Sequence, residues 1–348
     1  MQDPVPNVTQ RDIAKALGVS NATVSLALRN SPAIGEDRRR EIQAMAEKMG
    51  YRPNPVAAAL SHQKQLSKHP SIQASLAWLS LWPEPGMKGV AKARVFEEYR
   101  RGAEACTAKF GYRLEEFILI RSSVRRIEEI LLARGVSGII LSPGHFGFDM
   151  DLREFQWDRF SAIRTSRLPA EPALHLVTPD QSSNTMLAFD QILAKGYKRV
   201  GFINFGKSQG DRIWRFESGY MAVQQELPLR ERLPIYRLEA SDASSREGLR
   251  KWMGAQRPDA IITLHPNARE VLESLGYRCP DDVALATVNI KDCDIDAGID
   301  QDGMEIGRSA VLQLLSMIRD NERGIPRSMR EILIKGHWVD GTTLPNRK

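Results

Sequence analysis

The feature that most constrains the fold lies between residues 8 and 28, where helical apolar spacing is interrupted once by a glycine. Thr9 is a typical helix N-cap with an acidic residue, Asp12, three positions later, and apolar residues then recur at helical spacing up to Gly18. Ser20 can cap a second helix that begins at once. The pattern predicts two short helices joined by a tight turn, an arrangement that lays the second helix in the major groove of DNA.

The predicted second helix has an inner and an outer face. Val24, Ala27 and Leu28 would form its buried stripe. The residues left facing outward near its N-terminal end are Asn21, Ala22, Ser25 and Leu26. From such positions Asn21 can pair with an adenine edge, whereas Ala22 and Leu26 can make only apolar contacts, for example with a thymine methyl group. A third helix is predicted over about Glu36–Met49, ended by Gly50.

The stretch from Tyr51 to Ser61 contains two prolines, followed by an alanine-rich segment with one large apolar residue, Leu60. A helix this short is unstable alone in water, so it would form only against a partner. Two interpretations are open on spacing alone. The segment places Leu60 in the minor groove as an apolar wedge that kinks the duplex, or Leu60 is an ordinary linker residue that packs on the third helix.

Residues 63–71 are polar and predict a linker, after which apolar strands alternate with amphipathic helices. The strands are predicted over 75–81, 113–119, 136–142, 199–205, 260–264 and 283–288, and the helices over 96–110, 124–134, 186–194, 216–225 and 268–275. This repetition predicts doubly wound parallel sheets with helices on both faces. Ligands of such sheets bind beyond the carboxyl ends of the strands.

Composition narrows the class of protein further. The formal charge is +6, and residues 1–65 hold nine Lys and Arg against six Asp and Glu, which suits a phosphate-contacting surface. The three cysteines form no C-x-x-C pair and no zinc spacing, so we expect a reducing compartment and no metal. No apolar run reaches membrane-spanning length and no signal peptide begins the sequence, so we expect a cytoplasmic protein. No catalytic or cofactor motif is present, so we expect neither an enzyme nor a cofactor.

Two runs carry a specific resemblance. Thr9-x-x-Asp-Ile-Ala-x-x-x-Gly-Val-Ser-x-x-Thr-Val-Ser, followed by Gly50-Tyr-Arg-Pro-Asn-Pro-x-Ala-x-x-Leu60, resembles the headpiece and hinge of the lactose-repressor/galactose-repressor family of bacterial transcription regulators. The resemblance implies a homodimer that reads a palindromic site in double-stranded DNA. It implies that bases are read by Asn21 and Ala22, that the central minor groove is entered by Ala57 and Leu60, and that phosphates are anchored by Thr9, Ser20, Thr23, Ser25, Tyr51 and Asn54. Leu26 departs from the pattern, because many members carry a guanine-reading arginine there.

The larger part of the chain resembles the effector domain of the same family, which has the two-lobed periplasmic-binding-protein fold. The matching runs are Gly196-Tyr-Lys-Arg-Val-Gly-Phe-Ile, Gly276-Tyr-x-x-Pro-Asp-Asp-Val-Ala-Leu, Gly298-Ile-Asp-Gln, Glu305-Ile-Gly-Arg and Leu333-Ile-Lys. The predicted fold is therefore an all-α helix-turn-helix headpiece with a hinge helix, followed by an α/β two-lobed domain of doubly wound parallel sheets. The predicted domains are 1–62 (headpiece and hinge), 63–71 (linker) and 72–348 (effector binding and dimerisation). Lobe 1 would comprise about 72–177 and 297–328, and lobe 2 about 178–296 and 329–348.

The family pattern breaks at three polar positions of the expected cleft. Phe216, preceded by Arg215, stands where sugar-binding members have an arginine; His265 begins a His-Pro pair in place of Asn-Asp; and Lys291 replaces the first of two aspartates, leaving Asp292. Loss of groups that bind specific hydroxyls costs discrimination on the order of 10⁴. Either the effector differs in chemistry, for example an anion held by Lys291, His265 and Arg215, or the cleft binds nothing. Trp82 is a further candidate, as an aromatic platform at a strand end.

The sequence therefore predicts a sequence-specific DNA-binding transcription regulator, most simply a repressor, that binds a palindromic operator as a homodimer under the control of a small molecule. A solute-binding protein shares the fold of the larger part but predicts an export signal and no headpiece. A regulator that binds DNA without any effector is the other alternative.

Overall fold

The structure is a computed structural model that describes residues 8–28, 31, 34–51, 74–81, 94–119, 123–144, 151–167, 171–205, 211–238 and 243–347. The predicted hinge helix, the predicted linker 63–71, and the candidate residues Asn54, Ala57, Leu60 and Trp82 lie outside the described residues.

The N-terminal unit, called here the headpiece (residues 8–51), contains α1 (Gln10–Leu17), α2 (Asn21–Leu28) and α3 (Glu36–Lys48). The Asp12 carboxylate accepts hydrogen bonds from the Thr9 N–H and hydroxyl at 2.8 and 2.7 Å, which starts α1. Gly18 ends it with a left-handed φ of 63°. The Ser20 hydroxyl then accepts from the Thr23 N–H at 3.0 Å. The predicted helix-turn-helix is confirmed, and local caps mark the start of α1, its end and the start of α2.

The headpiece is held together by one small apolar core. Ile13, Val24 and Ile42 come from the three helices and are fully buried, and Ala14, Ala27 and Ala46 fill the gaps between them. Complete burial of a large aliphatic side chain contributes about 1.5–3 kcal/mol. With so few buried side chains, the headpiece depends on each of them.

The larger unit contains strands and helices in regular alternation. In chain order they are β1 (Ala74–Ser80), α4 (Arg94–Lys109), β2 (Tyr112–Ile118), α5 (Val124–Ala133), β3 (Gly138–Leu141), β4 (Ser161–Arg164), β5 (His175–Pro179), α6 (Gln181–Ala194), β6 (Val200–Phe205), α7 (Asp211–Gln225), β7 (Tyr236–Leu238), α8 (Ala243–Gln256), β8 (Ala260–Thr263), α9 (Ala268–Ser274), β9 (Ala284–Thr287), β10 (Gly298–Asp300), α10 (Gly303–Arg319), β11 (Glu331–Ile334) and β12 (His337–Val339).

These strands form two six-stranded sheets, in the orders β11-β5-β4-β3-β1-β2 and β12-β10-β9-β8-β6-β7. All pairs of the first sheet are parallel, and in the second only β12 runs antiparallel, against β10. Buried strands such as β3, β4 and β8 are fully covered, as parallel sheets with helices on both faces require. The predicted doubly wound α/β class is confirmed.

Strand pairing moves two of the expected lobe boundaries. The sequence expectation placed 297–328 in lobe 1 and 329–348 in lobe 2. However, β10 pairs with β9 in the second sheet, and β11 pairs with β5 in the first. The chain therefore changes sheets after β5, again between β10 and β11, and finally between β11 and β12. Edge strands of three or four half-exposed residues leave too little apolar pattern for the sequence to locate them.

We call the part of the chain built on the first sheet the first lobe and the part built on the second sheet the second lobe. Each lobe contains one close contact between two helices. A Cβ on Gly307 of α10 would lie 1.9 Å from the Tyr99 carbonyl oxygen of α4, so these helices touch backbone to backbone beside the first sheet. A Cβ on Gly219 of α7 would lie 2.2 Å from the Ser182 carbonyl oxygen of α6, beside the second. The first lobe thus carries α4, α5 and α10, and the second carries α6–α9.

Candidate functional sites

The exposed start of α2 is the candidate DNA-reading surface. Asn21 and Ala22 are exposed, whereas Ser25 and Leu26, one turn later, are half-buried. The Ser20 hydroxyl also lies 2.8 Å from the Thr23 hydroxyl, so these two expected phosphate anchors form one polar pair at the N-terminus of the helix. Free N–H groups at such an end attract anions.

The start of α1 and the residue after α3 are brought together. The Tyr51 hydroxyl accepts a hydrogen bond from the Gln10 side-chain amide at 3.1 Å, and Gln10 directly follows Thr9. The structure therefore places the two expected phosphate contacts, Thr9 and Tyr51, on one side of the headpiece.

The second candidate site is a cavity between the lobes, with about 300 Å³ of empty space that includes its opening to solvent. Its lining comes from the carboxyl ends of strands in both sheets and from α4, α6 and α7, where ligands of this architecture bind. The lining residues are Phe96, Tyr99, Thr165, Ser166, Arg167, Thr178, Pro179, Gln181, Phe216 and Gln301. Of the expected effector contacts that the structure describes, only Phe216 lies among them.

Arg215 approaches the cavity without lining it. Its guanidinium is half-exposed, and its Nη2 lies 3.9 Å from Oε1 of Glu331, the first residue of β11. Glu331 also accepts bonds of 2.7 and 2.8 Å from both terminal nitrogens of Arg167. The hydrogen bonds from Arg167 hold the pKa of Glu331 below its ordinary value, and burial of the carboxyl opposes them. Arg167 and Glu331 were not among the expected effector contacts, because nothing in the sequence indicates that they meet.

Lys291 has carboxylate partners on both sides of the cleft. Its Nζ lies 3.1 Å from Glu98 Oε1 of α4 and 3.1 Å from Asp300 Oδ2 at the end of β10. Hydrogen bonds to Asp300 and Glu98 raise its pKa above the ordinary lysine value. The neighbouring Asp292 accepts the Arg94 N–H at 2.7 Å. Lys291 and Asp292 therefore join the second lobe to the start of α4 in the first.

His265 lies apart from the other expected effector contacts. It is half-buried, its Nδ1 accepts the Asn267 N–H at 3.2 Å, and burial lowers its pKa. A neutral imidazole that accepts a backbone N–H in its own turn fits a structural part in the loop after β8. The structure does not bring His265 and Arg215 into one cluster with the cavity lining.

Within the described ranges, no group of three or more His, Cys, Asp or Glu side chains could hold a metal ion. Among the described helices, none has the length and apolar character needed to cross a membrane.

The folds and sites above define a class of protein: a helix-turn-helix headpiece followed by a two-lobed α/β unit with a cavity between the lobes. Residues 9–54 match the family described as "Bacterial regulatory proteins, lacI family", and residues 189–344 match the "Periplasmic binding protein-like domain". Residues 9–54 therefore belong to the lacI family of bacterial regulatory proteins, and the chain as a whole is similar to members of that family.

Individual relatives agree with this assignment. The HTH-type transcriptional repressor CytR of Escherichia coli (strain K12) is 21% identical over 346 residues, covering 94% of this chain and 95% of the relative. The probable HTH-type transcriptional repressor ExuR of Bacillus subtilis (strain 168) is 49% identical over 57 residues, covering 16% and 17%. The lac repressor dimer bound to operator and the anti-inducer ONPF has the same fold, with a TM-score of 0.53 at 19% identity over 97% of this chain and 99% of that one.

Proposed function

We propose that the chain is a sequence-specific DNA-binding transcription repressor that acts in the cytoplasm as a homodimer on a palindromic operator. The observation that carries the proposal is the exposed start of α2, where Asn21 and Ala22 face outward behind a capped turn. Two such helices from a dimer would enter successive major grooves about one helical turn apart. The full-length similarity to a transcriptional repressor supports repression over activation.

In this proposal Asn21 and Ala22 contact bases and a second set of residues positions the headpiece on the phosphates. That set comprises Thr9, Ser20, Thr23, Ser25, Tyr51 and Asn54. The half-buried Leu26 offers only an apolar surface, so the operator would carry a thymine methyl where relatives with an arginine read guanine. Ala57 and Leu60 would enter the central minor groove. Residues 1–62 would thus bind DNA and 72–348 would bind the effector and the second subunit.

We further propose that a small molecule in the cavity controls DNA binding. The cavity is lined from both lobes, so a ligand that contacts both would favour one angle between them over another. Such a ligand is a regulator only if its affinity differs between the two angles.

The experiment is selection of genomic fragments by the purified full-length protein, followed by sequencing of the retained DNA. We expect a palindromic site with a central pyrimidine–purine step, which kinks easily. Fragments without a shared motif would contradict sequence-specific binding by the protein alone.

A variant pair then tests the reading helix. Asn21→Ala should weaken binding to the selected site by about 5–150-fold, which corresponds to about 1–3 kcal/mol for one base contact, and should relax preference at one position of each half-site. Asn267→Ala, an exposed asparagine of the second lobe, is the matched control and should bind normally. Equal binding by both variants would remove Asn21 from the interface. Sedimentation equilibrium at micromolar concentration tests the dimer.

A further inference from the structure

An arginine cluster lies where the first lobe faces the second. Arg164 ends β4 and Arg167 follows three residues later; both side chains are more than nine-tenths buried. Arg215 reaches toward them from α7 of the other lobe. Glu331, on the adjacent edge strand, interacts with all three guanidiniums. Arg167 donates hydrogen bonds to it, and Arg164 and Arg215 act on it at longer range through their charges.

The charges of this cluster do not balance. Glu331 and Glu171 are the carboxylates that act on Arg164, so the five side chains together carry three positive and two negative charges. Guanidinium groups remain charged in proteins at any ordinary pH. Buried charges are normally paired, because an ion that has lost its water needs an opposite charge in return. The two carboxylates match the two buried guanidiniums in number, so the excess positive charge is that of Arg215, whose side chain is 45% exposed. An anion that enters the cleft would meet this charge.

Arg167 has an unused donor at this place. Its two terminal nitrogens bind Glu331, but its Nε is buried and has no hydrogen-bond partner among the residues that the structure describes. Arg167 also lines the cavity, next to the hydroxyl groups of Thr165 and Ser166 and the amide of Gln181. The site thus offers a planar cation for a carboxylate and neutral polar groups for the rest of a ligand.

We propose that the ligand of this cleft carries a carboxylate or a similarly shaped oxyanion that binds Arg167 and Arg215, and that Glu331 occupies this place in the structure described here. The proposal rests on the proposed function in one respect, that a ligand enters the cleft. Arg167 belongs to the first lobe and Arg215 to the second, so an anion held by both would couple its binding to the angle between the lobes. Neutral sugars would lose this contact.

The test uses the full-length protein with Glu331→Gln, which removes the internal carboxylate and keeps the shape of the side chain. Malonate is the probe, and malonamide is its uncharged counterpart of nearly the same size. We expect malonate at tens of millimolar to raise the thermal midpoint of E331Q by about 2–4 °C above the value in NaCl of equal ionic strength, because a ligand that binds only the folded state stabilises it. Malonamide should leave the midpoint unchanged.

Two further variants separate a site from a general salt effect. Adding Arg215→Gln to E331Q should reduce the malonate shift by at least half. Asp282→Asn frees the exposed Arg278, which Asp282 otherwise binds through two bonds of 3.0 and 2.7 Å, and this variant should show no shift. If E331Q does not fold, Glu331→Ala, which also removes the carboxylate, replaces it under the same criterion.

A malonate shift no larger than that of NaCl, or an equal shift in D282N, would overturn the proposal. The measurement needs no DNA. Failure of the anion site would leave sequence-specific DNA binding standing, and failure of the fragment selection would not alter the malonate result.

Discussion

Replacement of Lys291 should loosen the connection between the lobes, and the size of the effect follows from its two ion pairs. At 3.1 Å, Coulomb's law gives about 5 kcal/mol per pair at an effective dielectric of 20 and about 1 kcal/mol in water. The side chains of Lys291, Glu98 and Asp300 are 31%, 21% and 17% exposed, so desolvation removes much of the larger value. We expect a net coupling of about 1 kcal/mol between Lys291 and Glu98.

The assay is a double-mutant cycle on the free energy of unfolding in urea, followed by far-ultraviolet circular dichroism. Lys291→Met leaves Glu98 and Asp300 without their shared cation, so it should cost about 2 kcal/mol, and Glu98→Gln should cost about 1 kcal/mol. Together they should cost about 1 kcal/mol less than the separate effects combined. Because Asp300 and Lys291 share a lobe, the Glu98 cycle measures the contact that crosses between lobes.

The control cycle uses Arg125 and Glu129, an exposed pair within α5 whose side chains are 90% and 64% exposed. Exposed pairs of this spacing couple by about 0.3–0.5 kcal/mol. A Lys291–Glu98 coupling no larger than the control value would refute the reasoning that this ion pair holds the lobes together.

Three other changes have defined outcomes. Ile42→Ala, at a fully buried headpiece position, should lower the free energy of unfolding of the headpiece by about 2–5 kcal/mol and abolish DNA binding, while the thermal midpoint of the α/β unit stays unchanged. A fall in that midpoint as well would contradict two separately folding units. Hydrogen bonds from Arg113, and then from Ser75, lower the pKa of Glu115 to about 2. The ionised Glu115 therefore stabilises the folded state fully above about pH 4.5, and this contribution is lost as the pH falls toward 2. Glu115→Gln should therefore lower stability by about 1 kcal/mol at pH 7 and have little effect at pH 2 in urea titrations; equal losses at both pH values would exclude the ion pair as the cause. Gly219→Ala should lower the free energy of unfolding by about 3 kcal/mol, because the added Cβ meets the backbone of α6. Its control, Gly254→Ala on α8, has open space for the Cβ and should raise the free energy of unfolding by up to about 1 kcal/mol. Similar thermal midpoints for the two variants would show that α6 and α7 separate easily.

The headpiece could be predicted from the sequence because its boundaries depend on neighbours along the chain. Thr9 with Asp12, and Ser20 with Thr23, each close a cap within three residues. Strands β1, β2, β3, β6, β8 and β9 and helices α4, α5, α6, α7 and α9 were predicted from apolar runs or helical apolar spacing, whereas β4, β5, α8 and α10 were not predicted. Strands β7, β10 and β12 have three residues each, which is too short to show a period.

The cleft was predicted only in part for a different reason. Departures from the family pattern drew attention to Arg215, Phe216 and Lys291, which are visible in sequence. Their partners are not: Arg167 and Glu331 are 164 positions apart and meet only because β11 joins the first sheet. No spacing along the chain reports such a pair. The tertiary fold decides which of the departures share a site.

The late return of the chain to both sheets has a consequence for synthesis on the ribosome. The headpiece is made first and its three helices contain their own core, so it can fold while the rest of the chain is still being made. Neither lobe has that freedom. The first sheet is incomplete until β11 has been synthesised, and the second until β12 has been synthesised. Only Lys335 and Gly336 separate these two strands near the end of the sequence. DNA-binding heads thus emerge before the unit that is proposed to regulate them, and both lobes are completed almost together, as the final strands are released.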